Sequence, residues 1–251
     1  MIQLEALTLG YGQQILLDHV SANLNGGGLI ALLGRNGSGK STLLRATAGL
    51  GTIKSGRILL AGKDLAELQP EELARTVSFV TTEKVRIPNL KCRDVVALGR
   101  APYTNWVGRL QPRDREIVAK SLALLDMSAY AERTMDQMSD GECQRIMIAR
   151  ALAQDTPIIL LDEPTSFLDL PNRYELGISL QKLAHEQNKC ILFSTHELDI
   201  ALTLCDSIAL IDHPHLHYLP TRQMINSGHI ERLFRNETIT FDPKELRIRI
   251  R

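Results

Sequence analysis

Apolar and polar positions alternate early in the chain: Val20, Ala22 and Leu24 are separated by polar neighbours, the period of a strand with one buried face. Asn25-Gly26-Gly27-Gly28 supplies a turn, and the unbroken apolar run Leu29–Leu33 has the length of a buried strand. Ser41–Ala48 then carries Leu43, Leu44 and Thr47 at helical spacing and is closed by Gly49. Gly56 and Gly62 bracket a short apolar run, Arg57–Ala61, that fits a hairpin. From about Pro88 to Ala153 the period becomes helical. Pro112 and Asp114 open a helix whose apolar stripe is Ile117, Val118, Ser121, Leu122 and Leu125. Strand-like runs return at Ile158–Leu161, Cys190–Phe193 and Ile208–Ile211, alternating with helical patterns at Leu176–His185 and Glu197–Leu204. Strands alternating with helices predict a mainly parallel α/β sheet, with the helical middle inserted into it.

Composition narrows the class. The 251 residues suffice for one large domain or a domain with an inserted subdomain. Lys+Arg and Asp+Glu both count 29, so the basic excess expected of a nucleic-acid binder is missing. Four scattered cysteines form no CxxC pair and read as reduced thiols of a cytosolic protein. No secretory signal is read at the N-terminus, and no apolar run approaches the roughly 20 residues that span a bilayer.

The chemistry begins at Gly34–Ser41, GRNGSGKS, which matches GxxxxGK[ST] through Gly34, Gly39, Lys40 and Ser41. The glycines, Gly37 included, let the backbone curl so that its N–H groups face phosphate oxygens, and the following helix adds its positive end. Lys40 is placed to bridge the β- and γ-phosphates and Ser41 to hold Mg²⁺. Ile158–Glu163, IILLDE, is an apolar strand ending in two acids. Asp162 is placed to bind the Mg²⁺ shell and Glu163 to polarise an attacking water. In Met138–Arg145, MSDGECQR, Ser139 reads as a helix N-cap with Glu142 three residues on, a capping box. The same helix tip, with Gly141, is also a good anion site.

Taken together, these segments resemble the ATPase subunit of ABC transporters over most of the chain. GRNGSGKS matches the Walker A motif, IILLDE matches Walker B with its catalytic glutamate, and MSDGE stands in the place of the LSGGQ signature. Ser166-Phe167-Leu168-Asp169 resembles the D-loop and Ser194-Thr195-His196 the switch-histidine segment. The resemblance implies a P-loop NTPase (RecA-like) α/β core with an N-terminal antiparallel β region. It divides the single domain into a core of about 1–87 and 154–251 and a helical subdomain of about 88–153. It implies nucleotide contacts from Tyr11, Gly34, Asn36, Gly37, Ser38, Gly39, Lys40, Ser41 and Thr42, and from Ser139, Gly141, Glu142 and Asp169. Catalysis falls to Glu163 and His196, with Ser41 and Asp162 at the metal. Tyr11 also fits a plain strand tyrosine, and Asp169 a cap beside Pro171.

Two departures stand out. Asp140 replaces a glycine of the signature and Glu142 its glutamine; a carboxylate facing a triphosphate is repelled, so Asp140 is expected to point away. The Q-loop glutamine is absent after Val77–Val80, where Thr82 falls by simple alignment and Glu83 is the alternative.

The resemblance further implies a homodimer closing on two ATP molecules, integral membrane permease subunits, and through them a substrate-binding protein, at the cytoplasmic face of the plasma (inner) membrane. Leu98–Tyr103 (LGRAPY) and Trp106–Leu110 (WVGRL) resemble ATPases importing iron–siderophore, haem or cobalamin, with the helical subdomain facing the permease. Trp106 reads equally as a buried anchor or a partner contact. A soluble ABC ATPase without a permease, serving iron–sulfur assembly for example, is the alternative. His213-Pro214-His215-Leu216-His217 is read as a loop with solvated histidines, lacking the ligands of a metal site.

Overall fold

A computed structural model describes residues 1–83, 87–234, 239–243 and 245–250. In chain order it shows β1 (Ile2–Tyr11), β2 (Gln14–Leu24), β3 (Gly28–Gly34), α1 (Lys40–Thr47), β4 (Ser55–Leu60), β5 (Lys63–Asp64), α2 (Pro70–Thr76) and β6 (Val77–Val80). The helices α3 (Cys92–Ala97), α4 (Pro112–Ala123) and α5 (Asp140–Ala153) follow. Then come β7 (Ile158–Asp162), α6 (Leu170–Glu186), β8 (Cys190–Ser194), α7 (Leu198–Leu204), β9 (Ser207–Asp212) and β10 (His215–Pro220). The chain closes with α8 (Thr221–Asn226), α9 (His229–Phe234) and the hairpin β11 (Ile239–Asp242) and β12 (Arg247–Ile250). The core boundary expected near residue 87 adjoins 84–86, which lie outside the described residues.

The period-two strands form an antiparallel sheet in the order β2-β1-β4-β5, and the expected Arg57–Ala61 hairpin is the β4–β5 pair. The unbroken apolar runs form a second sheet in the order β10-β9-β3-β8-β7-β6. Its members from β9 to β6 pair in parallel, and β10 pairs antiparallel at one edge. These runs are continuous because each strand buries both faces. Ile30, Leu32, Ile158, Leu160 and Leu192 face the antiparallel sheet and α1. Leu29, Leu33, Ile159, Leu161, Ile191 and Phe193 face the helices. Full burial of such a side chain contributes about 1.5–3 kcal/mol, so a one-residue slip in β3, β7 or β8 would cost several such contributions.

The helices α3–α5 share one contiguous core with the sheet: Val95, Val96, Ile146 and Ile148 pack in the same cluster as Leu161 and Phe193. All four cysteines are buried thiols. The expected histidine loop is only a two-residue turn, His213-Pro214, before a strand begins. His215–Pro220 is β10, held to β9 in a continuous register from His215↔Asp212 to Pro220↔Ser207. The His217 ring stacks on His229 at 3.7 Å between centroids. Pairing with an edge strand outweighed the polar composition that pointed to a loop.

Candidate active site

Strand β3 stops at Gly34, the chain curls through residues 35–39, and α1 begins at Lys40. Gly39 caps the helix with φ +101° and Gly37 has φ +76°, a region that costs a side-chain-bearing residue about 1–2 kcal/mol. The first turn of α1 carries no acid, so its free N–H groups and dipole favour an anion. Lys40 is buried, its ammonium donating to the carbonyls of Gly34 at 2.9 Å and Arg35 at 3.3 Å. Burial pushes its pKa below the ordinary lysine value, against the opposing pull of Glu163 and Asp162.

Parallel register carries the acids to this loop. β3 pairs with β8 and β8 with β7, so Asp162 lies opposite Ser194 at the same end of the sheet as the phosphate loop. The Asp162 carboxylate receives three hydroxyls: Ser41 at 3.0 Å and Ser194 at 2.6 Å on Oδ1, and Thr82 at 3.1 Å on Oδ2. Glu163 follows with φ +47°, and its N–H donates to the Ser194 hydroxyl at 2.9 Å. His196 Nδ1 stands 3.7 Å from Glu163 Oε1.

A cleft of about 630 Å³ gathers Tyr11, Asn36, Gly37, Gly39, Lys40, Ser41, Thr42, Glu163 and His196, with Gln14 and Leu16 as further walls. Tyr11 is exposed on one rim and shares a hydrogen bond with Thr42 at 2.8 Å. Ser38 is placed elsewhere. It is buried with a hydroxyl that has no hydrogen-bond partner among the described residues, and it lines a separate cavity with Arg35, Asp212 and Arg232. The described residues hold no group of three or more His, Cys, Asp or Glu arranged for a metal ion. Mg²⁺ asks for something different, a hydroxyl and a carboxylate beside phosphate oxygens, and Ser41 with Asp162 beside the loop fits that donor set.

Ser139, Gly141, Glu142 and Asp169 are not brought to this cleft. They line a second one of about 540 Å³ with Asp140, Tyr130, Arg145 and Phe167, sharing no wall with the first. The capping box is present in full: Glu142 N–H donates to Ser139 Oγ at 3.3 Å, and Ser139 N–H to Glu142 Oε2 at 2.8 Å. Burial alone would raise the Glu142 pKa, but the Ser139 N–H is the larger influence and holds it below the usual range. Asp169 caps α6, accepting from Asn172 N–H at 3.1 Å.

The model for the family "ABC transporter" matches residues 17–166. The chain belongs to the ABC transporter family. Among its relatives, the petrobactin import ATP-binding protein of Bacillus anthracis is 33% identical over 244 residues, covering 96% of this chain and 89% of that protein. A chain of a metal-chelate type ABC transporter in an inward-facing conformation superposes with a TM-score of 0.80 at 29% identity, covering 93% of this chain and 88% of the other. A dimeric ATP-binding cassette in a post-hydrolysis state with ADP and Pi does so at 0.76 and 27%, covering 88% and 99%. This ABC cassette is therefore an ATP-binding, ATP-hydrolysing protein with the expected α/β fold.

In the importer-like LGRAPY stretch of this cassette, Gly99 and Arg100 turn inward while Leu98 is exposed. Arg100 is 4% exposed, donates to Asp114 Oδ1 at 2.9 Å and Ala153 O at 2.8 Å, and lies 4.0 Å over the Tyr103 ring. A Cβ on Gly99 would sit 2.2 Å from the Arg150 carbonyl oxygen, so only glycine lets that turn approach α5. Trp106 is 95% exposed, which removes the buried-anchor reading. Sequence reasoning missed Ser194 as a contact of both acids, because the Asp162↔Ser194 register is invisible without the sheet order. It also missed Arg35, whose guanidinium donates twice to the Leu233 carbonyl of α9.

Proposed function

We propose that this chain is the ATPase subunit of an importer for a chelated metal compound such as an iron–siderophore, with haem and cobalamin as the neighbouring cargo classes. Two copies would close on two ATP molecules. The observation that carries the dimeric reading is the separation of the two clefts: Lys40, Ser41, Glu163 and His196 line one, Ser139, Gly141 and Asp169 the other. A two-fold pairing lets each copy's second cleft complete its partner's first, an assembly in keeping with the dimeric cassette described above. The import reading draws on the petrobactin-import relative and the metal-chelate transporter chain.

Within one cleft, the α1 amides and Lys40 bind the triphosphate, and Tyr11 offers an aromatic face to the base. Ser41 and Asp162 would hold Mg²⁺, which when bound neutralises charge on the phosphate oxygens. Glu163 takes a proton from the attacking water, and His196 beside it contacts the γ-phosphate. Thr82 replaces the Q-loop glutamine, because its hydroxyl reaches Asp162 whereas Glu83 turns to Arg45 at 3.0 Å. Residues 88–153 form the inserted helical part, whose exposed Leu98, Trp106 and Val107 face the permease. A substrate-binding protein acts upstream of that permease, and the chain works at the cytoplasmic face of the membrane. Among the described residues no helix is long and apolar enough to cross a membrane.

Glu163→Gln tests the chemistry. Nucleotide affinity should persist while turnover falls by about 10²–10⁴-fold, the scale of general-base catalysis; near-normal turnover would refute the base assignment. Affinity purification from membranes tests the partner: recovery of an integral membrane protein is expected, and recovery only in soluble complexes would sink the importer reading.

A further inference from the structure

We infer that Ser194 is a positioning residue for hydrolysis, one hydroxyl that fixes the Asp162 carboxylate and the Glu163 backbone relative to each other. The inference rests on the roles proposed above for those two acids.

Ser194 ends β8, is completely buried, and lies opposite Asp162 in the parallel register. A hydroxyl has one proton to give and lone pairs to receive. Ser194 uses both capacities on the reacting end of β7. Its proton goes to Asp162 Oδ1 at 2.6 Å, the short distance of a bond to a charged acceptor. Its lone pair takes the Glu163 N–H at 2.9 Å. Alanine there would remove the acceptor of the Glu163 N–H, and a strand valine would do the same.

The second bond matters because of Glu163's conformation. At φ +47° Glu163 occupies the left-handed region, which residues with a Cβ seldom adopt unless their surroundings hold them there. Here the Ser194 hydroxyl anchors the N–H on one side and Ser166 Oγ donates to the Glu163 carbonyl at 3.0 Å on the other. Released from Ser194, that peptide can relax toward ordinary φ, and the side chain then leaves its place 3.7 Å from His196. The first bond matters for Asp162. Of the three hydroxyls on that carboxylate, Ser41 lines the nucleotide cleft and Thr82 lies just after β6, whereas Ser194 comes from the sheet itself. Only Ser194 also touches Glu163, so it sets the spacing between the metal-side acid and the general base.

The test uses the full chain with Ser194→Ala, Ser194→Thr, Glu163→Gln and the double variant Ser194→Ala/Glu163→Gln. Steady-state ATPase gives kcat and KM, a labelled nucleotide gives affinity, and single-turnover release of labelled phosphate gives the slow rates. Ser194→Ala should lower kcat at least about tenfold, since small misplacements of reacting groups are costly, with KM and nucleotide affinity within about threefold. Ser194→Thr, which keeps the hydroxyl, should restore most of kcat. In the Glu163→Gln background, adding Ser194→Ala should change the residual rate by less than about threefold, because the two act as one unit. A kcat for Ser194→Ala within twofold of wild type overturns the inference, and so does a rate loss as large in the Glu163→Gln background as in wild type. If Ser194→Ala does not fold, Ser194→Cys, a near-isostere with a weak donor, is judged by the same thresholds. The two readings fail differently. An active Glu163→Gln sinks the base assignment, whereas an inactive Glu163→Gln beside a normal Ser194→Ala sinks only the inference about Ser194.

Discussion

Replacing Arg100 by alanine should unseat the helical part of the molecule without touching the nucleotide cleft. Arg100 and Asp114 are 4% and 5% exposed and form an ion pair at 2.9 Å. Burial by itself would push the Asp114 carboxyl up, but the Gln111 N–H and the Arg100 guanidinium outweigh it and hold it below the usual carboxylate range. Removing the arginine leaves a buried carboxylate whose remaining support is the Gln111 N–H at 2.9 Å. It also strips the bond to the Ala153 carbonyl at the end of α5 and the cation over Tyr103. Breaking a buried pair from one side costs about 3–5 kcal/mol. The Gln111 N–H stays on the carboxylate in the variant, which favours the lower end, about 3 kcal/mol. At roughly 2–4 °C per kcal/mol for a chain of this size, Tm should fall by about 6–12 °C. The loss should also depend on pH in a stated direction. In wild type the depressed Asp114 pKa contributes stability above the ordinary carboxyl value of 3.8 that is lost as pH falls through the folded value. In Arg100→Ala burial acts unopposed by the guanidinium and the carboxyl pKa rises, so acid relieves the buried charge and the Tm gap to wild type narrows toward about pH 5. Calorimetry across pH 5–8, with hydrogen exchange followed over α3 and α4, measures both effects. A Tm loss under about 2 °C, or an Arg100→Met/Asp114→Leu variant no more stable than Arg100→Ala, would refute the reasoning.

Trp106→Ser should leave Tm and basal ATPase unchanged, within about 0.5 kcal/mol for an exposed site, while reducing co-purification with the permease; full retention of the partner would remove this surface from docking. Thr82→Val should lower ATPase several-fold by freeing one Asp162 oxygen, whereas Glu83→Ala, losing only an exposed ion pair to Arg45, should stay within about 1 kcal/mol of wild-type stability by melting. The His217–His229 stack gives a pH prediction. Burial lowers both pKa values below 6.5, with Arg232 adding to the effect on each, the neighbouring imidazoles adding to that on His217, and Asp212 opposing. The Arg232 contact to His229 Nδ1 needs a neutral ring. Stability should be full above about pH 6.5 and decline as pH falls through the lower folded values. His229→Gln should flatten that decline in thermal melts, and an unchanged slope would discount the stack.

The strands were legible because burial on both faces leaves unbroken apolar runs, as in Leu29–Leu33 and Ile158–Leu161, and the phosphate loop because its glycines and lysine sit at fixed spacing. The capping box at Ser139 and Glu142 was legible for the same reason: local chemistry at short range. What escaped were relations between distant segments. Ser194 reads as the last residue of a strand until the sheet order sets it beside Asp162. Arg100 belonged to a stretch assigned to a partner-facing surface, yet its partners Asp114 and Ala153 are 14 and 53 residues away. Gly99 and Arg100 of that stretch pack the helical part together, and the exposed Trp106 beside it is what faces outward. The histidine strand was hidden by composition, since edge strands tolerate polar residues that inner strands do not.

The position of β3 carries a consequence for how the chain is made. It holds residues 28–34, yet its two neighbours in the sheet are β8 and β9, residues 190–194 and 207–212. A ribosome releases the phosphate loop long before either neighbour exists. The Leu233 carbonyl that anchors Arg35 arrives later still. Such long-range pairing is slow, and in the interval the run Leu29–Leu33 is an unpaired apolar strand open to misassociation. Nucleotide capture is thus a late event in the life of each molecule, and a chain interrupted before residue 190 has the motif without the pocket. ATP binding certifies that synthesis has passed β8 and β9.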